Sequence, residues 1–346
     1  MLLSTNPARS NPKVSVFMLT YNHEQYIKQA LDSALAQETD FDVEIVIGED
    51  CSTDNTRAIV ADYVVRYPGR IRTLFHDANV GMSRNVVLVL EACTGEYIAL
   101  LEGDDYWTDP HKLQKQVDFL DAHPDYAISA HNVTVLKSDG QSGTSESLYY
   151  SKPPFDTYTI GELAKGNVLP TASCVYRNYF TAGPSPTGVP SWLNQAKIGD
   201  FCLHMLTARF GKVKYFHETM GIYRVHQGGV WSIQSELMRN AVIFDTIQLM
   251  KGEFDGDARN GLNEYQLRTL SEIADQSQAV MRGSELTEIL VSRQDEILSL
   301  VKEMYVPFMQ SYFTQQQAVH SAEYRYGKQL LAPVRWLLNK TRGRSK

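Results

Sequence analysis

Glycine is missing where two large nucleotide-binding classes would need it. The first expected strand, residues 14–19, runs into Thr20-Tyr21-Asn22-His23 with no Gly-x-Gly-x-x-Gly behind it, and no Gly-x-x-x-x-Gly-Lys-Ser/Thr occurs anywhere. Dinucleotide-binding dehydrogenases and P-loop nucleotidases cradle phosphate on such glycines, so neither class fits. Long apolar runs are absent too; none approaches a membrane span, and residues 1–13 lack a signal-peptide core. A cytoplasmic location is the expectation. Cysteine is scarce: Cys51, Cys93, Cys174 and Cys202 are far apart and show no Cys-x-x-Cys spacing, which points to reduced, mostly buried thiols. An excess of positive charge is also lacking. With 33 Lys and Arg against 40 Asp and Glu the net charge is -7, which argues against a general nucleic-acid binder.

What is present is ordinary for a folded enzyme-sized chain: 346 residues, 43% hydrophobic and 21% charged. A strand, polar turn and helix recur in that order. Residues 14–19 are followed by Ile27, Ala30, Leu31, Ala34 and Leu35 at helical spacing; 43–47 by Ile59, Val60, Tyr63 and Val64; 70–75 by a helix over 82–92; and 96–101 forms a fourth strand. Such alternation predicts an α/β fold with a doubly wound, mainly parallel sheet. The fourth strand stops abruptly at Glu102-Gly103-Asp104-Asp105. Acids at the carboxyl end of a buried strand sit where open α/β sheets place ligands. Carboxylates this close repel one another, so a hard cation, Mg²⁺ or Mn²⁺, is expected, with its shell completed by substrate phosphate. The plainer reading is a solvated acidic turn before a helix starting at Asp109-Pro110.

Three further strand ends carry polar groups: Thr20-Tyr21-Asn22, Glu49-Asp50-x-Ser52-x-Asp54, and Asn79-x-Gly81-x-x-Arg84-Asn85. In a parallel sheet these ends open on one edge and can converge on one ligand. Tyr21 offers a face for a base and Asp50 an acceptor for a base N–H; packing and helix capping are the alternatives. This ordered set resembles the family 2 glycosyltransferases of GT-A fold, bacterial enzymes of cell-surface polysaccharide assembly among them, over roughly residues 13–230.

The resemblance implies roles residue by residue. Glu102-Gly103-Asp104 occupies the place of the DxD element: Asp104 matches its metal-binding carboxylate, and Glu102 stands where an aspartate near the ribose is usual. Thr20, Tyr21, Asn22, Glu49, Asp50 and Arg84 match positions around the nucleotide, with Tyr21 stacking on uracil and Asp50 reading it. Ile198-Gly199-Asp200 is similar to the acidic motif that opens the acceptor-side helix, where Glu-Asp is commoner than Gly-Asp. Asp200 is therefore the expected catalytic base, since a sugar hydroxyl needs a carboxylate to take its proton; a helix cap before 201–210 is the alternative. Tyr223-Arg224-x-His226, followed by Gly228-Gly229, is similar to a segment that reaches the metal or diphosphate. His226 is the implied further metal ligand and Arg224 a phosphate partner. His23, His131, His204 and His217 stay unassigned.

The expected organisation is a GT-A domain over 13–230, with 13–107 as the nucleotide-binding half and 108–230 as the acceptor half. A helical C-terminal region follows over 235–346. Strands are expected at 127–136, 168–177 and 213–216, a helix at 109–121, and a polar excursion at 137–154. From Tyr324 onward seven basic residues with no acid accompany Tyr326, Trp336 and several leucines. Such a tail can lie on an anionic membrane face, which suits a lipid-linked acceptor at the inner side of the membrane; a soluble terminal helix with a frayed basic end is the alternative. Together these features predict inverting, metal-dependent transfer from a nucleotide-diphosphate sugar, with UDP favoured, to a glycan or lipid-linked acceptor. The rival enzyme class, sugar-1-phosphate nucleotidyltransferase, would show a glycine-rich basic signature after its first strand. The non-enzymatic rival is a glycan- or nucleotide-binding module that has lost catalysis.

Overall fold

Seven consecutive residues of β2 (Val14–Thr20) pair in parallel with seven of β3 (Val43–Glu49), and almost all of them are buried on both faces of the sheet. The structure, a computed structural model, describes residues 2–3, 12–138, 144–181, 187–229, 231–232, 234–279, 293 and 296. Around the central pair the chain winds both ways. β4 (Ile71–Phe75) joins β3 on one side and β5 (Tyr97–Leu100) joins β2 on the other, all parallel, while β1 (Leu2–Leu3) lies antiparallel on β4. The crossovers are α1 (Ile27–Leu35), α2 (Thr56–Arg66) and α3 (Met82–Ala92). Ile27, Ala30, Leu31 and Ala34 form the buried stripe of α1, as their spacing predicts.

Beyond β5 the sheet turns mixed. Its order continues through β10 (Val175–Arg177), β7 (Tyr126–Ser138), β11 (Lys212–Val225) and β6 (Tyr106–Trp107), with β8 (Thr144–Leu148) on β7 and β9 (Thr157–Tyr158) on β11. β10 is antiparallel to both β5 and β7, whereas β7 and β11 run parallel. The helices here are α4 (Lys112–Ala122), the short α5 (Ile160–Leu163) and α6 (Gly199–Ala208). Two expectations need correction. Residues 168–177 are not one strand: Pro170 cannot join a central ladder, and a 3-10 turn at Thr171–Ser173 precedes the three residues of β10. The strand expected at 213–216 runs on to Val225, because register shifts after Phe216 and Thr219 carry it past exposed His217-Glu218-Thr219. Tyr223 and Arg224 therefore belong to a strand. The excursion at 137–154 begins with the end of β7 and contains β8, whose Thr144–Leu148 is exposed throughout.

The chain divides into two compact units, Met1–Leu163 with Asn167–Ile233, and Ala164–Gly166 with Gln234–Lys346. In the second unit Ser235 Oγ accepts a hydrogen bond from Met238 N at the start of α7 (Glu236–Met250), and α8 covers Gly256–Ala279. Phe244, Ile247, Met250, Leu262, Leu270 and Ile273 are buried there. The helical pattern at Leu286, Ile289, Leu290 and Ile297 and the basic segment from Tyr324 lie outside the described residues. Among the described residues no helix is long and apolar enough to cross a membrane. The four cysteines are free, three of them buried.

One buried group strains the first unit. Lys112, at the start of α4, is 0% exposed, its Nζ has no hydrogen-bond partner and lies 4.0 Å above the Trp107 ring. Burial pushes its ammonium down to about 7. An unfolded lysine keeps its proton to about pH 10.5, so between pH 7 and 10.5 the unfolded chain binds more protons and stability rises with pH. Lys112→Met removes this penalty. It is expected to stabilise the unit by about 2 kcal/mol at pH 7, shrinking as pH approaches 10. Urea unfolding at both pH values, followed by tryptophan fluorescence, checks this; an unchanged or lowered midpoint at pH 7 contradicts it.

Candidate functional site

The carboxyl ends of β2, β3, β4 and β5 open on one edge because these strands are parallel. Leu101 N donates to Phe17 O at 3.0 Å and Gly103 N to Leu19 O at 2.9 Å, so the turn after β5 is fastened to the end of β2. In that turn one carboxylate oxygen each from Glu102, Asp104 and Asp105 lies within 4.8 Å of the others. Burial, followed by the charges of Asp104 and Asp200, pushes Glu102 up to about 8. Burial, Asp104 and Glu102 likewise raise Asp105 well above the carboxylate range. For Asp104 burial would raise the value, but the hydrogen bond to His226 and the nearby imidazoles of His23 and His226 bring it below normal. Asp104 is the acid of the group that carries its charge most readily.

Two imidazoles face that charge. His226 Nε2 is 3.1 Å from Asp104 Oδ2, and His23 Nε2 is 3.7 Å from the same oxygen. Gly228 N donates to His226 Nδ1 at 3.2 Å, so in this arrangement the His226 proton is on Nε2 and points at Asp104. His226 thus acts as a donor to Asp104, steadied by Tyr26 with ring centroids 4.6 Å apart. His23 was not singled out by any motif; it arrives here through two loops laced together. Its N–H donates to Thr56 Oγ1 at 2.7 Å, Asn22 N donates to Ser52 Oγ, and Glu24 N to Asp54 Oδ2. Burial lowers the His23 imidazole below its usual value despite the pull of Asp104.

Gly103 makes room for this arrangement. A Cβ there would lie 2.7 Å from Thr20 Oγ1 and 2.9 Å from His23 Nδ1. Both atoms are buried without a partner. Gly103→Ala must push Thr20 or His23 aside, at an expected cost of about 1–3 kcal/mol. A thermal unfolding midpoint equal to wild type would refute that steric account.

Arg224, the expected phosphate partner, reaches the acidic turn with its guanidinium. It donates to the Asp104 carbonyl and to Gln29 Oε1 and lies over the Tyr106 ring, 4.5 Å from its centroid. Its backbone N–H donates to Asp105 Oδ1 at 2.8 Å, while Asp105 Oδ2 is buried and unpartnered. Strand β11 is thereby pinned to the acidic turn.

Asp200 enters from another element, in the first turn of α6. Its Oδ2 accepts from Thr171 Oγ1 at 2.9 Å and Asn167 Nδ2 at 3.2 Å, and its Oδ1 from Phe201 N at 2.7 Å. These bonds take three of roughly four acceptor sites on a carboxylate. Its charge is the smallest of the causes that raise Glu102.

The remaining expected residues line or frame the edge. Tyr21 is 41% exposed, a free aromatic face at the end of β2. Asn22 sits at φ +55°, and its Oδ1 accepts from Thr53 N, which braces the two loops. Asp50 accepts from Val80 N at 2.7 Å and Gly81 N at 3.0 Å, one bond on each carboxylate oxygen. Glu49 is fully buried against Arg57 at 3.1 Å and Ser52 N at 2.7 Å, so its carboxylate frames the loop. Arg84 is exposed and donates to Asn194 Oδ1.

The donor set fits a divalent cation. Three crowded carboxylates, two of them driven toward their protonated form, and two buried unpartnered oxygens, Asp105 Oδ2 and Thr20 Oγ1, describe a site short of positive charge. Asp104 is the residue that would hold the ion.

Comparison with known proteins agrees with the fold. Residues 15–180 match the sequence family described as glycosyl transferase family 2. An uncharacterised protein of Mycobacterium tuberculosis is 40% identical over 221 residues, which is 63% of this chain and only 60% of the relative. Among solved structures, residues 1–349 of TarS from S. aureus in complex with UDP-GlcNAc align at TM-score 0.55 and 19% identity, covering 84% of this chain and 80% of that one. The mannosyltransferase PcManGT of Pyrobaculum calidifontis, in complex with GDP-Man and Mn²⁺, aligns at TM-score 0.54 and 16% identity, covering 90% and 88%.

Proposed function

With residues 15–180 forming a family 2 glycosyl transferase domain in a GT-A fold, we propose that the chain transfers a sugar from a nucleotide-diphosphate donor to a glycan or lipid-linked acceptor, with inversion at the anomeric carbon. The observation that supports this reading is the three-carboxylate turn after β5, on the strand-end edge that Tyr21 and Asp50 also flank, with the charge of Asp200 on α6 near enough to help raise Glu102. One acid group serves the donor and the other the acceptor. Tyr21 offers its exposed ring to the base, and Asp50 accepts a base N–H. UDP remains the favoured nucleotide, in keeping with the UDP-GlcNAc named for the S. aureus structure. Asp104 would hold Mn²⁺ or Mg²⁺, which when bound would supply positive charge to the leaving diphosphate. Asp200 takes the proton of the attacking hydroxyl, and Thr171 and Asn167 hold it in line. Residues 108–230 select the acceptor, and surface polysaccharide assembly at the inner membrane face is the setting.

The test is incubation of the chain with a panel of UDP-, GDP- and dTDP-sugars in Mn²⁺, with water standing in for the acceptor. Early proton NMR spectra are expected to show one donor hydrolysed, with the released sugar first appearing in the inverted anomeric form. Release with retained configuration would contradict the single-base mechanism.

A further inference from the structure

The turn that holds Asp200 is itself held from behind by two buried side chains of other elements. Thr171 Oγ1 donates to Asp200 Oδ2 at 2.9 Å from the 3-10 turn Thr171–Ser173, which leads into β10. Ser173 Oγ closes that turn by donating to Pro170 O at 2.6 Å. Its other two carbonyls are taken from outside. Trp107 Nε1 donates to Ala172 O at 2.7 Å, and Gln116 Nε2 to Ser173 O at 3.0 Å. Trp107, Gln116, Ala172 and Ser173 are all buried, so losing either bond strands a carbonyl away from water.

The position of the indole in the chain links the two acidic groups. Trp107 stands on β6, two residues after Asp105, so one short stretch carries both the acidic turn and the donor to Ala172 O. Its backbone is fixed on two sides: Trp107 N donates to Ser33 Oγ of α1 at 3.1 Å, and β6 pairs antiparallel with β11 at Gly221. Gln116, on α4, is anchored as well, because its Nε2 also reaches Ser129 O of β7 at 2.9 Å. A continuous path of chain and hydrogen bonds therefore runs from Asp105 through Trp107, Ala172 and Thr171 to Asp200.

We propose that Trp107 and Gln116 are positioning residues for Asp200, and that Trp107 sets where this carboxylate stands relative to the acidic turn, acting through Ala172 and Thr171. The inference rests on the transferase reading for the role of Asp200; the bonds themselves do not depend on it. Misplacing a reacting group by about 1 Å can cost about 10²-fold in rate, so freeing the turn is expected to lower turnover while donor affinity stays in place.

The test is a double-mutant cycle on the whole chain. It reads initial rates of donor hydrolysis at saturating donor in Mn²⁺, donor dissociation constants and urea unfolding midpoints. Trp107→Phe keeps a ring beneath Lys112 but has no N–H, and Thr171→Val keeps the side-chain shape but has no hydroxyl. Each is expected to lower turnover about 10-fold or more with donor affinity within about 3-fold of wild type, and Thr171→Ser to restore turnover. The double variant is expected to match Thr171→Val within about 3-fold, because both substitutions break the same path to Asp200. Gln116→Leu, which frees the neighbouring carbonyl, is expected to give the same pattern and takes the place of Trp107→Phe in the cycle if that variant does not fold. Losses that multiply in the double variant, folded Trp107→Phe turning over within about 3-fold of wild type, or donor affinity falling in step with turnover each overturn the assignment. If wild type hydrolyses no donor, the transferase reading fails and the path is judged on the unfolding midpoints alone. A combined drop smaller than the sum of the two single drops supports it, and an additive drop overturns it.

Discussion

Asp200→Asn is expected to bind the donor as wild type does, yet to lose turnover by about 10³-fold, within the range that general base catalysis supplies. The amide has nearly the same shape but cannot accept a proton. Its local cost is small and identifiable. One side of the amide must now present N–H₂ either to Asn167 and Thr171, which donate to Oδ2, or to Phe201 N, which donates to Oδ1. Rotation of the Asn167 amide relieves the first conflict, so a stability loss of about 1 kcal/mol is expected. Initial rates at saturating donor, together with the donor dissociation constant, distinguish this outcome from a folding defect. A variant that turns over within about 10-fold of wild type would remove Asp200 from the chemistry and return it to the role of a helix-start residue.

Asp104→Ala is expected to do the reverse, abolishing the metal-dependent part of donor binding and lowering turnover by at least about 10³-fold. The apo protein should tolerate the change. Asp104 is one cause of the raised proton affinity of both Glu102 and Asp105, so its removal relieves repulsion and brings both acids back toward ordinary values. What is lost is the shared partner of His23 and His226. Donor titrations in Mn²⁺ and in EDTA read the effect. Equal affinities in the two conditions are expected for the variant, whereas a persisting metal effect would move the ion to Glu102 or Asp105.

The parallel half of the sheet was legible because its strands are buried on both faces. Residues 97–101 are apolar without interruption and 43–47 are apolar apart from Glu44, and each run leads to acids that the topology then brings to one edge. Alternation of strand and helix fixed the order of these elements. The acceptor half was harder to read. β10 has only three residues after a proline turn, and the far end of β11 is hidden behind His217-Glu218-Thr219, three exposed polar residues that look like a loop. Arg224 lies beyond that loop-like stretch, on the part of β11 where its guanidinium meets the Asp104 carbonyl and Gln29. Glu49 lies beside Asp50 in sequence, yet strand alternation turns it into the interior toward Arg57. His23 carried no signal at all. Its place depends on hydrogen bonds between loops about 30 residues apart in the chain, and only the folded structure reveals such pairings. Lys112 misleads in the opposite sense: a lysine at a helix start reads as solvent-facing, and its burial over Trp107 follows from tertiary packing.

Calorimetric titration of the wild-type chain with UDP-, GDP- and dTDP-sugars, once in Mn²⁺ and once in EDTA, tests most directly whether a nucleotide sugar and a divalent ion meet at this strand-end cluster. One donor is predicted to bind in Mn²⁺ and at least about 10-fold more weakly in EDTA. Absence of binding by every donor in both conditions would contradict the account.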